Sequence, residues 1–239
     1  MLDLHTMSSK AIQPVDAHLD LAGSLPYFPN YTGDTLATSL PLPSFRQKRL
    51  LFAQLASHGQ VHVFSAECRA GERLRVQMLL PALANGGGLI PAFAVVAQSL
   101  PYSADVRRLP FELPAGFSAV VAAPPGELSK AARDLLTGAG FYPGPIVDTH
   151  TLVGGRCYIV VWSPANQMGK YALQLGYGWP TRWSYWLQLP LFWWQIRGWF
   201  GLSRAAGYVA MAAACVGIVS FARRRRKPRH TKSDETVAG

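Results

Sequence analysis

The sequence predicts an all-β fold, an antiparallel β-sandwich of the jelly-roll or immunoglobulin-like kind, followed by a single C-terminal transmembrane helix. Many short apolar stretches, punctuated by 22 Gly and 18 Pro residues in a chain of 239, favour the sandwich. An uncharged stretch that begins at Ala205 and ends at Ala222 predicts the helix. With 49% hydrophobic and only 15% charged residues, the composition excludes a largely disordered chain.

The first segment, residues 1–41, shows no stable hydrophobic period and is interrupted by several Pro and Gly residues. We therefore expect a flexible N-terminal arm there. Residues 42–178 carry the strand patterns and form the predicted sandwich domain. The strands are predicted, from a start near Leu50, at residues 61–66, 74–78, 92–97, 117–122, 149–153, 158–162 and 171–175.

Two details of this domain are specific enough to test. Residues 127–136 are predicted to form one short helix, because apolar residues recur there at helical spacing and Gly138 follows as a stop. Residues 158–162 are apolar throughout, which predicts a strand buried on both faces. On that strand Tyr158 and Trp162 are expected to point into the sandwich. The triplet Tyr142-Pro143-Gly144 is expected to form a turn.

Four segments resemble the strands of bacterial pre-peptidase C-terminal-type domains. They are Gly59-Gln60-Val61-His62-Val63-Phe64, Ala70-Gly71-Glu72-Arg73-Leu74-Arg75-Val76, Cys157-Tyr158-Ile159-Val160-Val161-Trp162 and Gly169-Lys170-Tyr171-Ala172-Leu173. Over about residues 42–177 the chain resembles, in particular, bacterial single-pass membrane proteins that carry such a domain ahead of a C-terminal helix. The resemblance implies a jelly-roll-like sandwich outside the cytoplasm without shared catalytic residues. Some members bind calcium, but His62 stands where an Asp is common, and we expect no cofactor and no metal.

The C-terminal part predicts a membrane topology. The span, residues 204–222, holds eighteen uncharged residues from Ala205 to Ala222, which as a helix would extend about 27 Å. The basic residues that follow in the tail, residues 223–239, are expected to stay in the cytoplasm; they begin with Arg223, Arg224, Arg225, Arg226 and Lys227. This orientation predicts a single-pass protein of the plasma membrane with its large N-terminal part outside.

Export of that part needs a signal sequence, and the start MLDLHTMSSKAIQ has no apolar core of the kind such signals carry. We therefore expect a true start further upstream or a missing segment. A tail-anchored protein with its domain in the cytoplasm is the alternative.

Residues 179–203 form a Trp-rich juxtamembrane segment. Six of the seven Trp residues of the chain lie in it: Trp179, Trp183, Trp186, Trp193, Trp194 and Trp199. We expect these rings to lie at the membrane interface as a collar, with Arg182 and Arg197 reaching lipid phosphates. The competing interpretation is that the rings cover an open edge of the sandwich. The expected partner is a bilayer with anionic lipids, with a membrane protein or surface ligand as a further candidate. Nucleic acid is excluded, because the excess of basic residues is concentrated in the tail.

The sequence offers little chemistry. Cys68 and Cys157 are a candidate disulfide, and no zinc-ligand spacing or nucleophile motif is present. We therefore predict no catalytic residues and a non-enzymatic binding, scaffolding or accessory module. A small subunit of a larger membrane complex is the first alternative. The second is a hydrolytic or metal-dependent enzyme that uses His62, Asp148 and His150, which requires these three side chains to converge.

Overall fold

The computed structural model describes residues 12–13, 24–30, 32–83, 88–101, 106–122, 124, 128, 130–134, 137–177 and 184–226. Within these ranges the elements are, in chain order, β1 (Ile12–Gln13), β2 (Leu25–Tyr27), β3 (Leu40–Pro41), β4 (Arg49–Leu55), β5 (Val61–Cys68), β6 (Arg73–Pro81), β7 (Ala92–Gln98), a 3-10 turn (Val106–Arg108), β8 (Phe117–Ala122), β9 (Ala132–Arg133), β10 (Gly140–His150), β11 (Gly155–Trp162), β12 (Gly169–Leu175), α1 (Ser184–Trp199) and α2 (Ala205–Arg226).

The strands form two sheets, which makes the fold a β-sandwich as predicted. Sheet A has the strand order β1-β10-β6-β12-β4-β2, with β9 also paired to β10. Sheet B has the order β3-β5-β11-β7-β8. The pairs are antiparallel except for β2 with β4 and β3 with β5, which are parallel. Antiparallel pairing between strands distant in sequence is typical of Greek-key sandwiches.

The main hydrophobic core lies between the two sheets. Alternate residues of each strand point inward, so that Leu51 and Leu173 of sheet A face Phe64 and Phe93 of sheet B within one cluster. These four side chains are completely or almost completely buried. The strands predicted at 61–66, 74–78, 92–97, 117–122, 158–162 and 171–175 are confirmed as parts of β5, β6, β7, β8, β11 and β12.

The outer face of sheet B is buried as well, and it holds Tyr158 and Trp162. Both side chains belong to a second cluster with Val63, Val96 and Val121, whereas their neighbours on the inner face are Cys157, Ile159 and Val161. The prediction that Tyr158 and Trp162 point between the sheets is therefore wrong, although both are buried. Residues after β7, among them Leu109, Phe111 and Leu113, fold back over the outer face and cover it.

Part of the predicted N-terminal arm is incorporated into the sandwich. Strand β2 pairs with β4, β3 pairs with β5, and Gly33 forms a bridge with Val63. Each of these pieces is only two or three residues long or a single bridge, so their sequences carry no period that could predict them. Apart from β1, residues 1–23 lie outside the described residues.

The prediction of a helix at 127–136 is wrong for the described residues of that range. Ala132 and Arg133 form strand β9, which pairs with Phe141 and Gly140 of β10. The hairpin turn between them is held by Asp134, whose carboxylate accepts hydrogen bonds from the backbone N–H and the hydroxyl of Thr137. Gly138 in this turn has φ +71°, a conformation that glycine adopts without strain.

Strand β10 also replaces two other predicted features. The Tyr142-Pro143-Gly144 triplet lies inside the strand, where the register with β6 shifts between Pro143 and Ile146. Pro143 still pairs with Leu79, and the shift leaves Gly144 and Pro145 in a β-bulge, where Gly and Pro are tolerated within a strand. The strand predicted at 149–153 is reduced to its first two residues, the end of β10.

The outer face of sheet A is covered by the end of α1 and the residues that follow it. Leu50, Phe52, Leu79 and Phe141 form a third cluster with Phe200, and Ile196, Trp199 and Leu202 pack against it. The sandwich therefore has covering layers on the outer faces of both sheets, and the one on sheet A belongs to the Trp-rich segment.

Candidate functional site

The three residues of the enzymatic alternative do not converge. His62 faces the core between the sheets, beside Tyr171 of β12. Asp148 pairs with Arg75 of β6, whereas Ala172, the residue after Tyr171, pairs with Leu79, four residues further along the same strand. At the rise of a β-strand these two positions are about 13 Å apart. Asp148 also faces outward, and His150 is exposed.

Asp148 is occupied by an ion pair. Both of its carboxylate oxygens accept hydrogen bonds from the guanidinium of Arg73, at 2.8 Å for Nε to Oδ1. This bidentate contact raises the pKa of Arg73 through the hydrogen bond and the charge of Asp148. The partner of Asp148 on the surface of sheet A is therefore the guanidinium of Arg73 and not an imidazole.

His62 instead connects the two sheets. Its Nδ1 lies 2.6 Å from the hydroxyl oxygen of Tyr171, and both side chains are buried. Burial lowers the pKa of His62 from 6.5 to about 4 and raises the pKa of Tyr171. At neutral pH the imidazole is uncharged, and one ring nitrogen carries the proton. Its Nε2 is buried and makes no hydrogen bond with the described residues.

An open cleft lies beside His62. It encloses about 510 Å³ and is lined by Phe28, Pro29, Asn30, Thr32, Phe52, Ala53, Gln54, Gln60, His62 and Trp199. We call it the His62 cleft. Its walls come from the loop after β2, the end of β4, the start of β5 and the end of α1. Sequence reasoning missed this cleft, because residues 28–32 lie in the predicted arm and Trp199 in the predicted collar.

The described residues contain no group of three or more His, Cys, Asp or Glu side chains that could hold a metal ion. The side chains that line the His62 cleft offer hydrogen-bonding groups and aromatic rings.

Cys68 and Cys157 are both buried, and both are thiols. Cys157 is paired with Ala66, and Cys68 with Gly155, so the two cysteines are diagonal neighbours on β5 and β11. Diagonal neighbours have Cα atoms about 7–8 Å apart, beyond the separation that most disulfides need. The pKa of the Cys68 thiol is raised by its hydrogen bond with Cys157 and by burial. The structure thus places the candidate pair together in the core, in a register that suits a thiol–thiol contact.

The Trp-rich segment forms α1, whose rings have different environments. Trp199 packs on the sandwich, with its ring centroid 4.9 Å from that of Phe52. Trp186, Leu187 and Leu191 are exposed, Trp186 to 63%. The interpretation that the rings cover the sandwich therefore describes the end of α1, where they lie over a sheet face, and does not describe Trp186. Trp179, Trp183 and Arg182 lie outside the described residues.

Arg197 does not reach outward from α1, contrary to the expectation that it contacts phosphates. Its Nη1 donates to the carbonyl oxygen of Thr137 at 2.8 Å, and its Nε donates to that of Ser203 at 2.7 Å. Lys170 of β12 donates to the carbonyl oxygen of Trp199 at 2.6 Å. Both cations lie at the C-terminal end of α1, where unpaired carbonyl groups favour positive charge. They join the helix end to sheet A.

Helices α1 and α2 meet at a corner built on glycine. A Cβ atom at Gly207 would lie 2.6 Å from the Trp193 ring, so only glycine allows this approach. Trp194 packs edge-on against Tyr208 at 4.8 Å, and the guanidinium of Arg204 lies 5.0 Å from the centre of the Trp194 ring. Trp193 and Trp194 are therefore half-buried by the start of α2 and by arginines.

Helix α2 starts at Ala205, as predicted, and continues through the four arginines to Arg226. Tyr208, Val209, Met211 and Val216 on it are exposed, Val209 to 69%. Among the described residues, no helix meets the length and hydropathy required to cross a membrane. The residues of the predicted span, 205–222, are therefore confirmed as helical, and nothing more of that prediction is confirmed.

No protein-family model and no curated protein sequence matches this chain. Among solved structures the chain is similar to the pre-peptidase C-terminal domain of a collagenase from Bacillus anthracis. The identity is 10%, the match covers 56% of this chain and 90% of that domain, and the TM-score is 0.31. That domain is of the type that the strand motifs of this chain resemble. The two-sheet architecture of this chain is established by the strand pairing described above and not by this similarity.

Proposed function

We propose that this protein is a membrane-anchored, extracytoplasmic β-sandwich that acts as a non-enzymatic binding or accessory module. The observation that carries the proposal is that different parts of α1 have different environments. One face of its C-terminal end is joined to sheet A, while Leu187 and Leu191 elsewhere on the helix remain 68% and 55% exposed. An exposed apolar surface of this kind is favourable only where lipid or a partner removes it from water.

A bilayer is the occupant that we favour for this surface. Helix α2 follows α1 after a short connection, its stretch from Ala205 to Ala222 has no charge, and five basic residues follow directly. Basic residues beside an apolar helix attract anionic headgroups, at about 1 kcal/mol for each charge near the surface. An exposed Trp at the start of such a helix pair suits the headgroup layer.

A non-enzymatic role is supported by the positions and partners of the polar side chains that were candidates for catalysis. Of the three candidates for catalysis, His62 is buried against Tyr171, Asp148 is held by Arg73, and His150 is exposed on the surface. A nucleophile or metal mechanism needs such groups within hydrogen-bond distance of one another.

Membrane association is tested by fractionating cells that express the full chain. We expect the protein in the membrane fraction, resistant to extraction at high pH as an integral protein. A reporter fused after Gly239 should be active only as a cytoplasmic enzyme. Recovery in the soluble fraction, or an external reporter, would contradict the anchor or its orientation respectively.

The bilayer and a partner protein as occupants are separated by reconstitution. In vesicles of phosphatidylcholine with phosphatidylglycerol, doxyl-labelled lipids should quench Trp186, studied in a variant whose other tryptophans are replaced by Phe. Trp199 in the corresponding variant is the matched control and should not be quenched, because it faces Phe52. Equal quenching of the two rings would contradict the docked arrangement. If Trp186 is unquenched, the role of a subunit packed on other helices is favoured over the role of an independently anchored module.

A further inference from the structure

The His62 cleft combines an aromatic wall with a polar wall. Phe28 stacks on Phe52 with ring centroids 4.7 Å apart and planes within 7°, and Trp199 lies across the Phe52 ring. Phe28 and Trp199 are half-buried and line the opening, whereas Phe52 beneath them is buried. The aromatic wall is firmly held, because Trp199 also packs against Phe200 and its carbonyl oxygen binds Lys170.

The polar wall contains amides, a hydroxyl and an imidazole. Asn30, Thr32 and Gln54 make no side-chain hydrogen bond with the described residues of the chain. Gln60 is fixed in place, since its Oε1 accepts from the backbone N–H groups of Ala56 and Ser57 at 2.6 and 3.2 Å. Its NH₂ group remains a donor of known position.

His62 closes the inner end of this wall. Tyr171 takes one ring nitrogen, and the other, Nε2, is buried without a partner among the described residues. A buried polar atom without a partner is unfavourable, and a ligand hydroxyl group that reached Nε2 would supply the missing hydrogen bond. Nε2 of His62 can therefore donate or accept one further hydrogen bond.

The described residues that line the cleft include no Asp, Glu, Lys or Arg. This composition disfavours ions as ligands, because nothing in the lining would compensate their charge. It also disfavours a purely apolar ligand, since five of the ten lining residues are polar. A ligand that matches both walls is uncharged, carries several hydroxyl groups and presents an apolar C–H face to a ring.

We propose that the His62 cleft binds a neutral saccharide, with a sugar ring against Phe28 and Trp199 and its hydroxyl groups on Asn30, Gln54, Gln60 and His62. The cleft is open at its surface and large enough for one or two sugar rings, so the end or a segment of a glycan enters it. This inference rests on the proposed function as a binding module and specifies its ligand class.

The experiment uses the full chain in detergent micelles, with neutral oligosaccharides of glucose, of N-acetylglucosamine and of xylose as probes. We expect at least one probe to bind with a dissociation constant that is roughly millimolar or tighter. Binding should change the fluorescence of Trp199 and should be the same at low and high salt, because no charge is involved. Binding that weakens steeply with salt would contradict a neutral ligand.

Three variants locate the site. Asn30→Ala and Gln54→Ala, at exposed positions that should leave the fold intact, are each expected to weaken binding about five- to tenfold through loss of hydrogen bonds. Gln188→Ala, at an exposed position on α1 outside the cleft, is the matched control and should leave binding unchanged. Equal affinity of all three variants would place the saccharide elsewhere and overturn the inference.

Failure of this inference is distinguishable from failure of the proposed function. If no probe binds, or only peptides bind, while the chain fractionates with membranes, the saccharide inference is wrong and the anchored module stands. If a probe binds in the cleft but the chain is recovered as a soluble protein, the ligand class is supported and the membrane anchor is wrong.

Discussion

At the residue scale, the burial of the His62 imidazole makes stability depend on pH. The pKa of His62 is lowered by burial from 6.5 to about 4, so the folded state resists protonation that the unfolded chain accepts. This contribution is constant above pH 6.5 and is lost as the pH falls from 6.5 to about 4. Over that range it amounts to about 3 kcal/mol. Urea unfolding between pH 7 and pH 4 measures it.

A double variant isolates this effect. Replacement of both partners, in His62→Phe with Tyr171→Phe, removes the titrating group without leaving a buried hydroxyl unpaired. We expect the pH dependence between 6.5 and 4 to become shallower by one proton, with a small change at pH 7. The single variant Tyr171→Phe keeps the imidazole and should keep the dependence. An unchanged slope in the double variant would mean that His62 is not buried as described.

Also at the residue scale, Cys68 and Cys157 are predicted to remain thiols. In a Cys215→Ser background, a maleimide should label no cysteine of the folded chain, because both remaining thiols are buried and the pKa of Cys68 is raised. After unfolding in urea without a reductant it should label two. If labelling after unfolding appears only when a reductant is added, the pair is a disulfide and the diagonal geometry does not prevent it.

At the scale of the element, two of the four tryptophans of α1, Trp186 and Trp199, have different roles. Trp199→Ala should destabilise the chain by about 2–3 kcal/mol, because it removes a half-buried ring from Phe52 and Phe200. Trp186→Ala should change stability by less than about 0.5 kcal/mol, since that ring is exposed. It should instead weaken binding to anionic vesicles. Thermal unfolding and vesicle sedimentation of the two variants give both values, and a reversed order would show that the helix faces are misassigned.

The elements also show which features a sequence can predict. Strand β5 was predictable from the alternation of its residues, and β8 and β11 were predictable from short, mainly apolar runs between turn residues. The helix predicted at residues 127–136 was wrong because the helical spacing of Leu and Ala in this range is only a local signal. The pairing of Ala132 with Phe141 depends on a turn that only the tertiary structure fixes. In β10, Pro143 and Gly144 predict a turn, because a β-bulge has no hydrophobic period that would identify it in the sequence.

The candidate site was less predictable than the fold. His62 was noted in the sequence, but nothing local indicated Tyr171 as its partner, 109 positions away. The His62 cleft joins Phe28, Gln54 and Trp199 from three separate segments, so no motif can contain it. Arg197 carried a charge next to aromatic residues, which is typical of interfacial arginines. Its actual partners are two backbone carbonyl groups, which have no sequence signature.

At the scale of the whole molecule, the sandwich and the end of α1 form one structural unit. Leu50, Phe52 and Phe141 on the outer face of sheet A are buried only together with Ile196, Trp199 and Phe200. Arg197 and Lys170 add hydrogen bonds across the same contact. The end of α1 is therefore coupled to the sandwich through a packed contact.

This coupling predicts a difference between two truncated chains, one ending at residue 178 and one at residue 203. The shorter chain loses the side chains that cover Phe52 and Phe141, and each of the four large apolar residues removed, three of them only partly buried, contributes roughly 1–1.5 kcal/mol by burial. We therefore expect it to unfold at a lower urea concentration, with a free energy of unfolding smaller by about 4–6 kcal/mol, or to aggregate through the exposed sheet face. A version ending at residue 203 with Trp199→Ala should fall between the two. Coincident unfolding curves for residues 1–178 and 1–203 would mean that the sandwich is complete without α1 and that the helix is free to move relative to it.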